Sequence, residues 1–255
     1  MKIGIQTNAW SEEIHYGSLE RLISEIAQAG YDGLEIGAHR LNLAKPDAFH
    51  QLVTKYNLRI SGIHTGGPLH HRETMQTVFA KLPEIAEFSI AAGAENLMFS
   101  GHPKSDKTEE DYKIEADMLN QVGLICKKAG IQVQYHNHAF EILNDLQEYR
   151  ALMRLTDPEL VSFCLDIGWV VRGGASPSQV IEMYHQRINY FHLKDTLSEN
   201  RFTELGKGIV DIPAALTTIQ KYYQECWLVY ERDETMPDAL LSAQISRNYL
   251  KTLGL

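Results

Sequence analysis

The sequence predicts an α/β protein, a single-domain (β/α)8 TIM barrel, from two observations. Strand-like segments alternate with segments whose apolar residues recur at helical spacing, and several of the helical segments end at Gly or Pro. Such strict alternation implies parallel strands joined by helical crossovers. Eight strand and helix units in 255 residues match the size of a closed barrel. The competing fold, an open doubly wound sheet, usually shows a GxGxxG turn after an early strand, and that turn is missing here.

The elements follow one another without a linker or a low-complexity tract, so we expect one domain over residues 1–255. The predicted strands cover residues 2–8, 32–37, 59–67, 95–102, 131–138, 160–168, 188–195 and 226–233. The predicted helices cover residues 18–29, 46–56, a long stretch through 92, 108–129, 146–155, 177–185, 212–223 and 238–253. The carboxyl ends of the strands should meet at one face of the barrel, where active sites of this fold lie.

Composition narrows the class of protein. The chain is 44% hydrophobic and 22% charged, an ordinary globular balance, and its net charge of -9 argues against a nucleic-acid-binding surface. It shows no positively charged leader with an apolar stretch and no run of about 18 apolar residues. We therefore expect a cytoplasmic protein without a nucleic-acid or membrane partner. Cys126, Cys164 and Cys226 form no CxxC pair and are expected to be buried reduced thiols.

Residues that can carry chemistry gather at the ends of the predicted strands. They are Asn8, Glu35, His64, His102, His136, His138, Asp166, His192, Lys194, Glu231 and Asp233. Because strand side chains alternate, Gln132, Gln134, His136 and His138 should point into the barrel, while Ile131, Val133 and Tyr135 face the helices. Polar groups in a barrel interior are costly unless they are used or hydrogen-bonded. Imidazole and carboxylate groups from neighbouring strands suit one divalent ion: Mn, Co, Fe, Mg or Zn.

Several strand ends carry short motifs of a known family. "LEIG", "GIHTGG", "YHNHAFEI", "LDIGW", "FHLKD", "LGKGIVDI" and "VYERDE" fall in order along the chain. On these motifs the sequence resembles the sugar phosphate isomerase/epimerase family of xylose-isomerase-like TIM barrels over essentially its whole length. At the fifth strand it is most similar to inosose dehydratases, which have histidines there. Epimerase-type members have a glutamate at the position of His136.

The resemblance implies a metal site and roles for the residues around it. The metal ligands would be Asp166, His192 and Glu231, with His136, His138 or Glu141 as the fourth, and His136 is favoured by alignment. Glu231, His138, His64 and Lys194 would be catalytic, the first two as proton-transfer groups and Lys194 at an oxyanion or a phosphate. Glu35 would contact the substrate or orient His64, and Trp169 would stack on a sugar face.

The resemblance also implies a function. We expect a metal-dependent isomerase or epimerase that acts on a sugar, sugar phosphate or keto-sugar through an enediolate. The alternative is a lyase that dehydrates an inosose or a 3-keto-sugar, and His136 is the residue that favours it. An endonuclease IV-like nuclease and a non-catalytic sugar-binding barrel are further alternatives, and Trp169 stands where the nucleases have a histidine. The partner would be a small sugar-type molecule, with a homo-oligomer possible.

Some of these residues also have structural interpretations. Asp166 can cap a turn, and Glu231 can pair with Lys194 or Arg232. The "GKGIVD" stretch can either cradle a phosphate or simply lead into a helix, and a pair of glycines favours the second. His15, His70, His71 and His185 are expected to be solvent-exposed, without a role.

Overall fold

Ten strands are present in the computed structural model, which describes residues 1–199 and 201–255. They are β1 (Lys2–Gln6), β2 (Gly33–Gly37), β3 (Arg59–Gly66), β4 (Asn96–Ser100), β5 (Gln132–His136), β6 (Val161–Asp166), β7 (Ile188–Leu193), β8 (Asp195–Thr196), β9 (Phe202–Thr203) and β10 (Trp227–Tyr230). Eight of them close into a barrel in the order β1-β10-β7-β6-β5-β4-β3-β2. All neighbouring barrel strands run parallel, which confirms the predicted (β/α)8 TIM barrel.

Helices connect the strands and surround the barrel. They are α1 (Glu12–Gly17), α2 (Leu19–Ala29), α3 (Pro46–Lys55), α4 (Arg72–Ala91), α5 (Glu109–Ala129), α6 (Ala139–Leu155), α7 (Ile167–Arg172), α8 (Pro177–Tyr184), α9 (Ile212–Tyr222) and α10 (Ala239–Thr252). Local signals explain their ends. In α5, for example, Thr108 and Asp111 form a reciprocal capping box, and Gly130 closes the helix in the left-handed conformation. No helix among the described residues is long and apolar enough to cross a membrane.

The structure differs from the expected elements mainly at the carboxyl ends of the strands. The sequence pattern does not indicate α1 or α7, because helices of six residues are too short to show a period. The segment 188–195 is expected as one strand, but it splits between β7 and the short β8–β9 hairpin. Helix α6 begins at Ala139 rather than 146 and is interrupted by non-helical backbone from Leu143 to Leu146.

The main core lies between the barrel and its helices, and a second, smaller cluster of buried apolar residues includes Cys164. Cys126 and Cys164 are free and buried, whereas Cys226 is free and half-buried. Burial raises the pKa of all three thiols to about 12. They are therefore protonated at pH 7 and act as small apolar side chains.

The expectation of exposed histidines holds for His71 alone. His70 and His185 are half-buried, and His15 is only 2% exposed, so the expectation for His15 was wrong. The Nδ1 atom of His15 lies 2.9 Å from Ser11 O, within the first turn of α1. Burial lowers the pKa of His15 to about 4, so the ring is neutral at pH 7.

Candidate functional site

The predicted site residues lie at the carboxyl ends of the barrel strands, around one cavity of about 1110 Å3. Its floor includes His64 from β3, His136 from the end of β5, and His138 just beyond it. Glu231 and Asp233, which follow β10, complete the polar part of the floor. Trp169 and His102 also line the cavity. The position agrees with the location of active sites in this fold.

Four side chains at the base of this cavity can each direct one ligand atom toward a common point. These atoms belong to His136, Asp166, His192 and Glu231, and all of them lie within 4.8 Å of one another. The four residues, called the quartet below, come from or directly follow β5, β6, β7 and β10, which are consecutive in the barrel. All four are buried. The strand register explains why these residues come together. His192 of β7 pairs with Asp166 of β6 on one side and with Val229 of β10 on the other.

The donors of the quartet fit a divalent cation. His136 Nε2 is buried and has no hydrogen-bond partner among the described residues, whereas the buried Asp166 Oδ2 has Lys194 Nζ as an ion-pair partner at 2.9 Å. His136 Nε2 lies 3.5 Å from Asp166 Oδ2 and 3.4 Å from Glu231 Oε2. The ligands of a tetrahedral ion with bonds of about 2.1 Å stand about 3.4 Å from one another. Two imidazoles and two carboxylates suit Mn²⁺, Co²⁺, Fe²⁺ or Zn²⁺.

Neighbouring groups orient both imidazoles of the quartet. Ser100 Oγ lies 3.4 Å from His136 Nδ1, which leaves Nε2 of that ring directed at the carboxylates. His192 Nδ1 lies 2.7 Å from Glu231 Oε2, while its Nε2 lies 2.8 Å from Glu35 Oε2. A carboxylate behind a ligating histidine fixes the ring and its tautomer. Ser100 pairs with His136 in the β4–β5 register. The sequence did not indicate this serine, because His102 is the more conspicuous polar residue at the end of that strand.

The two carboxylate oxygens of Asp166 have different surroundings. Oδ1 accepts the backbone N–H of Trp169 at 2.8 Å and caps α7, and Oδ2 faces the quartet. The cap that the sequence suggested is therefore present, and the second oxygen stays directed at the other residues of the quartet. Asn137 bridges the same strand ends, because its side chain accepts from Asp166 N at 3.0 Å and donates to Asp166 O at 3.4 Å. Burial acts to raise the pKa of Asp166, but the charge of Lys194 and the nearby His136 imidazole hold it below its ordinary value.

Glu35 lies behind the site rather than on the cavity wall. It is fully buried, and its partners are His64 Nδ1 at 2.9 Å, His192 Nε2 at 2.8 Å and the Tyr190 hydroxyl at 3.0 Å. Burial acts to raise the pKa of Glu35, but His192 and then His64 outweigh it and lower the pKa to about 2. The carboxylate is thus charged and holds two rings of the site. Of its two expected roles, the geometry favours positioning over a substrate contact.

His138 stands between the quartet and the aromatic residues of the cavity. Its ring is half-buried, stacks on Phe140 with centroids 5.6 Å apart, and tilts against Trp169 at 5.5 Å. Burial and the nearby His136 lower the pKa of His138 to about 3. Glu141 does not reach the quartet: it accepts from His138 N at 2.7 Å and Tyr135 Oη at 2.8 Å. Both oxygens of Glu141 are therefore occupied by contacts at the start of α6, and this makes it a poor fourth ligand.

Lys194 is buried among three carboxylates. Its Nζ lies 2.9 Å from Asp166 Oδ2, 2.9 Å from Glu231 Oε2 and 2.8 Å from Asp233 Oδ2. Burial acts to lower the pKa of the ammonium, but the charges of these carboxylates outweigh it and raise the pKa above its ordinary value. Burial likewise acts to raise the pKa of Glu231, and the charge of Lys194 outweighs it and lowers that pKa. The side chain therefore places a permanent positive charge beside the quartet.

The backbone amides of the "GKGIVD" loop bind a carboxylate of the chain itself rather than standing open to a phosphate. Asp195 accepts the backbone N–H groups of Gly206, Gly208 and Val210 at 3.0, 2.9 and 3.1 Å. A Cβ added at Gly208 would clash with Asp195 Oδ1, so only glycine allows this approach. The amides that a phosphate would need are already occupied by a carboxylate of the chain. These contacts agree with the interpretation that the stretch is a loop leading into α9, which Asp211 caps.

Three more residues belong to the surroundings of the site. Gln6 and Asn8 lie at and after the end of β1 and line the cavity wall, and Asn8 Nδ2 donates to Glu231 Oε1 at 3.3 Å. Arg40 in turn donates to Asn8 Oδ1 at 2.9 Å. Asn8 is one of the polar strand ends of the sequence, though with no role assigned, whereas Arg40 has no local signal because it lies in the turn after β2. Together these contacts orient Oε1 of Glu231, while Oε2 faces the rest of the quartet.

Known proteins resemble this chain along most of its length. The family described as "Xylose isomerase-like TIM barrel" matches residues 23–253. Inosose dehydratase 1 of Bacillus cereus is 28% identical, with 92% of this chain and 90% of that protein covered. A sugar phosphate isomerase/epimerase from Parabacteroides distasonis superposes with a TM-score of 0.81 at 24% identity, with 98% of this chain and 93% of that one covered.

A third similar structure is the IOLI protein with a bound zinc atom, which has a TM-score of 0.80 and 15% identity and covers all of this chain and 96% of that one. At these identities the superpositions establish the shared fold. The family match spans nearly the whole barrel, including every strand from β2 to β10. This chain belongs to the xylose isomerase-like TIM barrel family.

Proposed function

We propose that the chain is a divalent-metal-dependent enzyme that removes a proton next to the carbonyl of a keto-sugar or keto-cyclitol and then eliminates a neighbouring hydroxyl as water. The observation that carries the proposal is the quartet, in which the buried His136 Nε2 faces two carboxylates without a hydrogen-bond partner among the described residues. A divalent ion bound there would polarise the substrate carbonyl and stabilise negative charge on its oxygen. The similarity to an inosose dehydratase supports the same class of reaction.

The accessibility of the two carboxylates in the quartet favours elimination over epimerisation. Glu231 borders the cavity, whereas Asp166 is fully buried beneath it. Epimerase-type sequences have a glutamate at the position of His136, so this chain lacks one of the two carboxylates that their mechanism would use. An elimination needs one base and one acid, and Glu231 with one histidine suffices for it.

The proton transfers follow from the positions of these groups. Glu231 would accept the proton from the carbon next to the carbonyl, with Asn8 holding its other oxygen. The electron pair left on carbon forms a C=C bond as the C–O bond to the neighbouring hydroxyl breaks. His64, on the cavity wall, would donate the proton that leaves with this hydroxyl as water, and His138, which is neutral at pH 7, would accept a hydrogen bond from a substrate hydroxyl. Lys194 lies close enough to the quartet to stabilise the developing oxyanion.

An isomerase or epimerase is the second candidate function. It is supported by the presence of two histidines, His64 and His138, on the same cavity wall as Glu231. His64 could return a proton to carbon instead of to a leaving hydroxyl, and His138 could do so after it has taken a proton up as the base. The sugar phosphate isomerase/epimerase from Parabacteroides distasonis shares the fold that this reaction would use. Both candidates share the first proton removal and differ in the atom that receives the second proton.

The experiment is product analysis with the Mn²⁺-loaded full chain and an inosose as substrate in D₂O. Dehydration yields a product that absorbs in the ultraviolet, whereas isomerisation or epimerisation yields a deuterated keto-sugar of unchanged mass apart from the label. Glu231→Gln should lose at least about a thousandfold in rate because it removes the base and also one carboxylate of the quartet. The matched control is Glu234→Gln, an exposed neighbouring carboxylate paired with Arg232. Neither absorbance nor deuterium with any keto-sugar tested would contradict the proposal.

A further inference from the structure

The cavity above the quartet is larger than one sugar ring needs. Its volume of about 1110 Å3 lies above the range of roughly 300–1,000 Å3 that is typical of pockets for drug-sized ligands. Three groups proposed to act on a polyol lie together on the floor, at or directly after the ends of their strands: His64, His136 and Glu231. A monosaccharide bound to them would leave the outer part of the cavity unfilled.

The outer part of the cavity has an apolar wall. It is formed by Leu41 and Leu43 after β2, Ile85 of α4, Pro103 after β4, and Phe140 and Leu143 of α6. Phe140 connects this wall to the floor, because its ring stacks on His138 at an interplanar angle of 10°. The wall and the catalytic floor thus belong to one continuous cavity. An extended molecule could occupy both at the same time.

An unusual backbone segment places Leu143 on this wall. Asn144, Asp145 and Leu146 have φ values of 53°, 58° and 60°, a left-handed conformation that is costly for residues with side chains. The interruption turns Leu143 outward, where it is 49% exposed, while Leu146 is 4% exposed in the core. Such strain persists only where the surroundings maintain it and often marks a functional position.

Charge on the wall argues against a phosphate in the outer part. Lys81, an exposed side chain, is the one lysine or arginine among the described residues that line the cavity. Phosphate sites normally combine arginine forks, lysines and backbone N–H groups at a helix N-terminus. The wall instead offers branched aliphatic side chains and one phenyl ring. These suit an uncharged, apolar group.

We propose, on the basis of the proposed function, that the substrate carries an aryl or alkyl substituent on its polyol ring and that the apolar wall binds this substituent. The polyol then lies on the floor beside the quartet, and the substituent lies against Phe140 and Leu143. The wall determines specificity for glycoside-like substrates over free sugars and sugar phosphates. The concave shape of the wall and its continuity with the floor favour part of the substrate over a second copy of the chain as the occupant.

The test is the binding of two probes that cannot react, methyl β-D-glucopyranoside and phenyl β-D-glucopyranoside, because both lack a carbonyl. Their affinities for the full chain are measured by isothermal titration calorimetry with and without Mn²⁺. Burial of the phenyl ring should make the second probe bind about tenfold to a hundredfold more tightly than the first. Leu143→Asn should bring this ratio down to about one, and so should Leu41→Asn if the first variant perturbs α6. Leu241→Asn, an equally exposed leucine that does not line the cavity, should leave the ratio unchanged.

The outcomes separate this inference from the proposed function. Equal affinities for the two probes, or no binding of either probe, overturn the inference whatever Mn²⁺ does. A strong preference for the phenyl probe together with no effect of Mn²⁺ and no turnover of keto-sugars supports the wall and contradicts the proposed function. If light scattering shows that Leu143→Asn converts a dimer to a monomer without changing the ratio, the wall is an interface between copies and the inference is wrong.

Discussion

Glu35 Oε2 lies 2.8 Å from His192 Nε2, although the two residues are 157 positions apart in the sequence. The contact crosses the barrel interior, from β2 to β7, and both side chains are fully buried. The other nitrogen of His192 faces Glu231. Glu35 therefore determines which nitrogen of His192 is available to the quartet, and it does so without reaching the cavity.

Replacing Glu35 with Gln should weaken metal binding while the fold persists. An amide can still bond to His192 and His64, but it carries no charge and can present the wrong partner atom. We expect a loss of about tenfold to a hundredfold in affinity for Mn²⁺, measured by competition with a chelator. Tyr190→Phe is the control, because it removes one hydrogen bond to Glu35 and keeps the carboxylate. An equal loss in both variants would show that only packing is involved.

The quartet should bind one ion per chain. We expect about one equivalent of Mn, Co, Fe or Zn when the chain is purified without chelator and measured by elemental mass spectrometry. Asp166→Ala should retain less than about a tenth of it, since a buried ligand with no substitute nearby is lost. Asp233→Asn, on the cavity wall but outside the quartet, should keep its ion. Three equivalents in the wild-type chain would favour the nuclease alternative.

Replacing Lys194 with Met should destabilise the metal-free protein far more than the Mn²⁺-loaded protein. The ammonium lies within 2.9 Å of Asp166 and Glu231, and removing it leaves buried carboxylates facing one another. We expect the Tm in chelator to fall by roughly 10 °C and to recover largely when Mn²⁺ is added. Lys113→Met on the exposed face of α5 serves as the control. A fall of the same size with and without Mn²⁺ would mean that no cation replaces the ammonium.

A buried charge cluster beside the cavity should give the protein a pH-dependent stability. The Lys107 side chain is 3% exposed and contacts Glu115 at 2.6 Å and Glu148 at 2.5 Å, so two carboxylates share one ammonium. Burial and the charge of Glu148 raise the pKa of Glu115 from 4.5 to about 7. The folded state holds this proton more tightly than the unfolded state, so the contribution of Glu115 is full below about pH 4.5 and is lost as the pH rises toward 7.

Chemical unfolding of the wild type and Glu115→Gln across about pH 4.5 to 7.5 measures this contribution. The free energy of unfolding of the wild type should fall relative to that of the variant by about 1–3 kcal/mol as the pH rises through this window. Glu110→Gln, an exposed residue on the same helix, should follow the wild type. A constant difference between wild type and Glu115→Gln would show that Glu115 titrates as it does in water.

The barrel itself could be predicted from the sequence because its signals are local. Hydrophobic periodicity, capping residues and the Gly stops after α2 and α5 are properties of short segments. The alternation along β5 also placed His136 inside the barrel without knowledge of its neighbours. The elements that escaped prediction, α1, α7 and the β8–β9 hairpin, are too short to show a period. Their positions depend on the loops in which they lie.

Local patterns in the sequence were enough to predict the fold class and the polar residues at the strand ends. The partners and the roles of these residues become visible only in the folded barrel. It placed Glu35 behind His192, Ser100 against His136 and an ammonium among the carboxylates, through contacts between strands far apart in the chain. The apolar wall is likewise assembled from four separate segments. The physical reason is that spacing along a strand fixes which face a side chain occupies, whereas its partners depend on register and closure of the barrel.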